Sequence, residues 1–322
     1  MPSPLRFIAL VALTCVACAP ALAQQYPVKP IRIVVGFSPG GPTDTAARLI
    51  GQKLTARWGQ QVIVDVRPGA GGNIAAEHVA KSAPDGYTLL LPAFAHAVNP
   101  SLFSKLPFDT VRDFAPVALF SMAANVLAVH PSVPARSVGE LIALSKARPE
   151  QLTYGSAGNG TASHLAGELF NMIAGTTITH VPYKGSAPAS ADLLGGHISA
   201  AFPGVAIAAP HSRAGRLRAL AITSARRSKL LSDVPTMSEA GLKGFEVASW
   251  YGLLAPAATP AEIVQRLNAE VNRSIQEPDA TERLTSLGAE PVQSTPAEFG
   301  EFIRNEIAKW AKVTRAAGLH VD

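Results

Sequence analysis

Residues 31–50, IRIVVGFSPGGPTDTAARLI, contain a β-branched run, a glycine-rich loop and then apolar residues at helical spacing. Runs of isoleucine and valine favour strands, and apolar residues three or four positions apart indicate one face of a helix. The stretch therefore predicts a strand at residues 31–35, a loop that begins at Gly36, and a helix through Leu54. Strand, loop and helix in this order form the repeating unit of α/β folds.

The same unit recurs further along the chain. Residues 62–64 and 87–91 are predicted strands, and the turn RPGAGG at residues 67–72 leads into a predicted helix near residues 75–81. Three such units indicate a parallel sheet that is covered on both faces.

The pattern restarts after Phe108, where a second glycine-rich loop, GSAGNGT at residues 155–161, again joins a strand to a helix. Further strands are predicted at residues 117–120, 126–129, 152–154, 178–181, 198–202 and 217–222, and helices at residues 138–147, 260–276 and 295–317. The charge-poor stretches 114–135 and 193–212 are predicted to be buried strands with turns.

Two sheets without a flexible linker predict two doubly wound α/β domains that share crossing strands and enclose a ligand cleft. The first domain is expected to comprise residues 24–108 together with 235–322, and the second residues 109–234.

The composition excludes several classes of protein. Of 322 residues, 48% are hydrophobic and 16% are charged, so the chain can bury a core and is not a disordered polymer. The net charge is +5, but the chain has no basic run longer than the short one around Arg226, Arg227 and Lys229. Nucleic acid is therefore not an expected partner.

Residues 1–23 have the pattern of a secretory signal peptide. Arg6 precedes an apolar run at residues 7–17, and Ala21-Leu22-Ala23 predicts cleavage after Ala23. The run is too short to span a membrane, which takes about 20 residues. Lipoprotein anchoring is the less favoured alternative, because neither Cys15 nor Cys18 has the usual leucine three positions before it. Cleavage removes both cysteines, so the mature chain forms no disulfide and has no cysteine chemistry.

No enzyme or metal-site signature is present. The loop at residues 155–161 lacks the lysine of a phosphate-binding P-loop, and the dinucleotide, serine-hydrolase and zinc-protease motifs are absent. The eight histidines have no ligand spacing. We therefore expect no catalytic residue, no metal and no cofactor.

The two glycine-rich loops are candidate anion sites. The first N–H groups of a helix have no partner within it and carry partial positive charge, and glycine lets a ligand approach them closely. Two such loops that face each other across a cleft would hold an anion without a fixed cation. Two simpler readings stay open: the loops are only tight turns, and Thr43 with Asp44 is only a helix cap. Trp250 and Tyr251 are predicted to be core residues rather than ligand-stacking ones.

From Tyr26 onward the sequence resembles the Bug family of periplasmic solute receptors, the extracytoplasmic components of tripartite tricarboxylate transporters. The motifs that carry the resemblance are YPVKPIR at 26–32, RPGAGGN at 67–73, APDGY at 83–87, GNGT at 158–161, HVPYKG at 180–185 and DVPT at 233–236.

The resemblance implies a flytrap fold of the periplasmic binding protein type, in which two domains close on a small carboxylate. It also implies membrane transporter subunits as partners and a location in the periplasm. A monomer is expected, because the protein must open and close. The ligand positions carried over by the resemblance are Phe37, Ser38, Gly40, Gly41, Thr43 and Asp44 in the first loop, and Ser156, Gly158, Asn159, Thr161 and the adjacent His164 in the second.

Two departures from the family pattern concern the ligand. Pro203 replaces an aspartate that many relatives carry, and its lack of a carboxylate disfavours a ligand with an amine. Phe94, in the bulky segment AFAH at residues 93–96, is expected to narrow the cleft or to face an apolar part of the ligand. The hypothesis is a mono- or dicarboxylate without an amine, aromatic acids included.

Two further functions are alternatives to this hypothesis. A sensory role would use the same site, with the closed protein docking on the outer domain of a sensor kinase. A secreted hydrolase would need Ser156 or Ser163 as its nucleophile and His164 as the local base. His164 is poorly arranged for Ser163, because adjacent helical residues do not face each other.

Overall fold

The structure is a computed structural model and describes residues 26–149 and 151–321. The predicted signal peptide lies outside the described residues. The strands are β1 (Ile31–Val35), β2 (Val62–Val66), β3 (Thr88–Leu91), β4 (Phe114–Ala124), β5 (Val126–Val129), β6 (Thr153–Ser156), β7 (Thr179–Pro182), β8 (Ala200–Ala201), β9 (Arg218–Ile222), β10 (Ala248–Pro256) and β11 (Ala289–Pro291).

The helices alternate with these strands along much of the chain. They are α1 (Pro42–Trp58), α2 (Asn73–Ala80), α3 (Ala95–Leu102), α4 (Val138–Ala147), α5 (Ala162–Ala174), α6 (Ser186–Gly195), α7 (Val205–Arg213), α8 (Ala261–Ser274), α9 (Pro278–Ser286) and α10 (Pro296–Ala316). In the described part of the chain, no helix has both the length and the apolar character that a membrane crossing requires.

The first sheet has the strand order β11-β4-β10-β3-β1-β2. Strand β1 pairs in parallel with β2 and β3, as the repeated units predict. Strands β4, β10 and β11 are antiparallel to their neighbours, so the sheet is mixed and not wholly parallel. We call the part of the protein built on this sheet the first lobe.

The second sheet has the order β7-β6-β8-β5-β9 and forms the core of the second lobe. Strand β6 is parallel to β7 and β8, whereas β5 runs antiparallel to β8 and β9. The two-lobed α/β fold predicted from the sequence is confirmed.

The chain crosses between the lobes beside Asn125 and again after β9. The backbone N–H of Thr223 donates to the Asn125 carbonyl at 2.9 Å, and the N–H of Val247 donates to the Thr223 carbonyl at 2.8 Å. These bonds tie the crossing segments together. Strand β4 lies in the first sheet, although the predicted limits put its residues in the second domain; the limits stay a prediction.

One prediction for a charge-poor stretch is wrong. Residues 193–212 were expected to form strands, but they contain the end of α6, the two-residue strand β8 and most of α7. In an alanine-rich segment without regularly spaced polar residues, the sequence pattern alone does not distinguish a buried strand from a buried helix. In addition, Pro210 lies inside α7, where a proline argues against a helix.

Candidate functional site

A cavity of about 330 Å³ lies where the two glycine-rich loops meet. Both lobes contribute to it, and none of the described residues around it carries a charge. It is lined by Phe37, Pro42, Thr43, Gly71, Ala93, Phe94, Ala95, Asn99, Leu102, Phe103, Asn159, Gly160, Thr161, Ala162, Ser249, Tyr251 and Val321.

Two helices begin at this cavity. Pro42 and Thr43 open α1 in the first lobe, and Thr161 and Ala162 stand at the start of α5 in the second lobe. A helix N-terminus presents unpaired N–H groups and the positive end of the helix dipole. An anion in the cavity therefore meets two such ends, one from each lobe.

The carboxylate of Asp44 holds the first glycine-rich loop in shape through hydrogen bonds. Its Oδ2 atom accepts a hydrogen bond from the N–H of Gly40 at 3.0 Å and one from Nε of Arg48 at 2.9 Å. The bond from Arg48 lowers the pKa of the Asp44 carboxyl, which is therefore ionised. Asp44 does not line the cavity, so the structure gives it the role of shaping the loop.

Thr43 is not the cap of α1. The cap position is Gly41, and no side chain caps the helix there. The reading of Thr43 and Asp44 as a simple cap is therefore incomplete: Asp44 holds Gly40, and Thr43 faces the cavity.

Gly36 lets the first loop lie against the turn before α2. A Cβ atom at Gly36 would come within 2.6 Å of the Gly72 Cα atom, which is backbone and cannot rotate away. The ring of Phe37 in turn lies close to Gly72, where a Cβ would be 3.4 Å from it. This contact places Phe37 in the cavity wall.

His164 holds the second glycine-rich loop through a hydrogen bond to its backbone. The N–H of Gly160 donates to its Nδ1 atom at 3.1 Å. The hydroxyl of Thr161 donates to the Gly158 carbonyl at 2.7 Å and accepts from the N–H of His164 at 3.4 Å, which caps α5. Because Nδ1 accepts a hydrogen bond, it carries no proton.

The imidazole of His164 stacks on that of His180, with ring centroids 4.0 Å apart, and His180 stacks on Tyr154 at 4.9 Å. Glu168 accepts a hydrogen bond from the Tyr154 hydroxyl at 2.5 Å and lies 3.7 Å from Nε2 of His164. Burial lowers the pKa of His164 to about 3, with a contribution from His180, and lowers that of His180 to about 4. Both rings are therefore neutral at neutral pH.

Ser156 contacts a histidine that the sequence reasoning did not single out. Its Oγ atom is 2.7 Å from Nε2 of His180, whereas the expected base was His164. Ser156 is 1% exposed and borders a cavity of only about 10 Å³, which is room for about one water molecule. The contact is therefore a buried polar pair, and an ester substrate has no space beside it.

The structure brings some of the predicted ligand residues together and separates others. Phe37, Thr43, Phe94, Asn159 and Thr161 share the 330 Å³ cavity. Ser156 and Pro203 border the small cavity in the second lobe instead. The predicted residues that line neither cavity are Ser38, Gly40, Gly41, Asp44, Gly158 and His164.

Several lining residues were missed by the sequence analysis. Helix α3 supplies Asn99, whose Nδ2 donates to the Gly71 carbonyl at 3.0 Å, together with Leu102. Strand β10 supplies Ser249 and Tyr251. Tyr251 is buried in the hydrophobic core, as predicted, and one part of it also borders the cavity. The neighbouring Trp250 is fully buried, as predicted. No local pattern marks these residues, since only the folded chain brings them to the loops.

The lobes touch at the rim of the cavity. A Cβ atom at Gly160 would come within 2.9 Å of Cδ1 of Leu102, and Gly160 has a φ angle of +74°. The second-lobe loop therefore lies directly against the end of α3 in the first lobe. Over residues 26–149 and 151–321, no group of three or more His, Cys, Asp or Glu side chains could hold a metal ion.

The chain is similar to known proteins over most of its length. The model of the tripartite tricarboxylate transporter family receptor matches residues 46–319. Protein BugT of Bordetella pertussis is 40% identical over 302 residues, which cover 93% of each chain.

Solved structures share the fold along nearly their whole length. An R. palustris protein with adipate is 40% identical, with a TM-score of 0.78, and the match covers 92% of this chain and 100% of that one. MatC from Rhodopseudomonas palustris with bound malate is 36% identical, with a TM-score of 0.74, and the match covers 89% and 99%. The structure of the periplasmic binding protein BugD is 32% identical, with a TM-score of 0.75, and the match covers 92% and 100%.

Proposed function

Because this chain belongs to the receptor family of the tripartite tricarboxylate transporters, we propose that it captures a small carboxylate in the periplasm and delivers it to a membrane transporter of that type. The family consists of periplasmic solute-binding proteins and not of enzymes. Relatives in it have been solved with adipate and with malate.

The observation that carries the proposal is the start of α1 and α5 at one uncharged cavity. Backbone N–H groups there can hold a carboxylate, and the hydroxyl of Thr43 and the amide of Asn159 can add hydrogen bonds. No lysine or arginine among the described lining residues competes for this role.

The chemistry of the lining favours a mono- or dicarboxylate without an amine. An ammonium group in the cavity would lack a carboxylate partner there, and burial without a partner is costly for a charge. Phe37, Phe94 and Phe103 instead offer apolar surface to the ligand body. Adipate and malate, the ligands named for the two solved relatives, also lack an amine.

Capture is proposed to work by closure of the two lobes. A ligand that contacts both α1 and α5 stabilises the arrangement in which Leu102 touches Gly160, and only such a difference in affinity can shift the equilibrium. The protein is proposed to act as a monomer after export and cleavage following Ala23. The lobes are proposed to divide at the crossings beside Asn125 and after β9.

The substitution Thr43→Val is expected to weaken carboxylate binding about two- to tenfold, because it removes a hydroxyl from the cavity and leaves the shape of the side chain. The helix cap is not affected, since Thr43 does not form it. Calorimetric titration of the refolded protein with adipate measures the change. Thr161→Ala is a less specific test, because it also removes the cap of α5.

The matched control is Thr45→Val in the same helical turn. The Thr45 hydroxyl donates to the Gly41 carbonyl and does not line the cavity. Equal affinities of the wild type and both variants would remove Thr43 from the binding site.

The function itself is tested first by thermal unfolding of the refolded mature protein with carboxylates, amino acids, sugars and nucleotides. A ligand at 100 times its dissociation constant adds about 2.7 kcal/mol, a shift of several degrees. A response to sugars or nucleotides alone would refute the proposal. Deletion of the gene, followed by measurement of carboxylate uptake and of transcription, then separates transport from a sensory role.

A further inference from the structure

Val321 is an exposed apolar residue that lines the ligand cavity. Its exposed fraction is 49%, although valine is usually buried. It belongs to the segment that follows α10, residues 317–321, which we call the tail segment.

The tail segment turns back from α10 to the mouth of the cavity. Gly318 has a φ angle of +63°, and the N–H of Leu319 donates to the Thr314 carbonyl at 2.9 Å, so the chain reverses there. The N–H of Val321 then donates to the Leu102 carbonyl at 3.1 Å. This bond fixes the tail segment to the last residue of α3.

Leu102, Phe103 and Val321 thereby form one apolar wall of the cavity. Their side chains offer no hydrogen-bond donor or acceptor. A hydroxyl, amine or carboxylate buried against this wall would lose its water without gaining a partner there, whereas a run of methylene groups would lose nothing. The wall is also the place where α3 meets the second-lobe loop, through Leu102 and Gly160.

We propose that Val321 is a specificity-determining residue, whose side chain covers the methylene chain of a bound linear dicarboxylate and favours acids longer than four carbons. This inference rests on the proposed carboxylate-binding function. In a four-carbon diacid only two methylenes separate the carboxylates, whereas six- and eight-carbon diacids have four and six. The longer acids therefore have an apolar body that can reach the wall while one carboxylate stays at the helix N-termini.

The test is calorimetric titration with succinate, adipate and suberate, which are linear diacids of four, six and eight carbons. The wild type is expected to bind adipate or suberate more tightly than succinate. Val321→Asp is expected to weaken binding of the longer acids tenfold or more, because it places a negative charge and a hydrated group against their chain. Succinate affinity is expected to fall less than adipate affinity, because the added charge repels both dianions but only the longer chain contacts the wall. Val321→Ile is expected to retain the preference for the longer acids.

Val28→Asp is the matched control, since Val28 is 48% exposed and does not line the cavity. If Val321→Asp leaves the ratio of adipate to succinate affinity unchanged, or if the wild type prefers succinate, the inference is overturned. If the wild type binds none of the three acids and no other carboxylate, the proposed function fails independently of Val321.

Discussion

Gly36→Ala is expected to destabilise the protein by about 1–3 kcal/mol and to lower carboxylate affinity at least tenfold. The added methyl would lie 2.6 Å from the Gly72 Cα atom and 3.1 Å from its carbonyl oxygen. Neither atom belongs to a side chain that can rotate away, so the first loop must move away from the turn that precedes α2. Because the Phe37 ring lies close to Gly72, that movement displaces the cavity wall. Chemical unfolding and calorimetric titration with adipate measure the two effects.

Gly41→Ala is the control in the same loop. A methyl there would be 3.4 Å from the Ser38 carbonyl oxygen, an ordinary contact, and the φ angle of −75° suits any residue. We expect stability and affinity close to those of the wild type. If Gly36→Ala behaved like Gly41→Ala in both measurements, the close approach of the loops would not control the cavity.

Acidification from pH 7 to pH 5 is expected to lower the free energy of unfolding by about 2 kcal/mol through His164 alone. The pKa of histidine is about 6.5 in an unfolded chain, whereas burial lowers that of His164 to about 3. Below pH 6.5 the unfolded state therefore binds more protons than the folded state. The stability is complete above that pH and is lost as the pH falls toward 3. His180 and the buried His96, each with a pKa lowered to about 4 by burial, act in the same direction.

Urea unfolding at pH 7, 6 and 5 measures this loss. His164→Asn is expected to reduce the pH dependence, because an amide oxygen can accept the hydrogen bond from Gly160 but does not titrate. A wild-type protein equally stable at pH 7 and pH 5 would contradict the prediction.

The parts of the fold that were predictable from the sequence are those with local patterns. The strand-loop-helix order from β1 to β3 follows from β-branched runs and glycine punctuation, and α4 was predicted with the bounds it has. Strand β10 was missed because both its faces are buried, which removes the alternation that identifies a strand. Helix α3 was missed because Pro100 lies inside it.

The candidate site also has features that the sequence predicts and features that depend on the folded chain. Both loops could be located, because a glycine-rich junction between a strand and a helix is a local feature. Thr43 lines the cavity, whereas the side chain of its neighbour Asp44 turns away from the cavity to bind Arg48. The sequence does not indicate which of these two adjacent side chains points in which direction. Leu102 and Val321 meet only through a long-range backbone hydrogen bond, which no sequence pattern records.

The described residues of the cavity wall carry no charge, so added salt has little effect on how the cavity holds a carboxylate. Attraction between exposed ions falls as salt is added, with a screening length of about 10 Å at 0.1 M and about 3 Å at 1 M. Short hydrogen bonds from buried N–H groups are much less sensitive to screening. A receptor of this kind therefore binds a carboxylate with similar affinity in dilute and in saline surroundings.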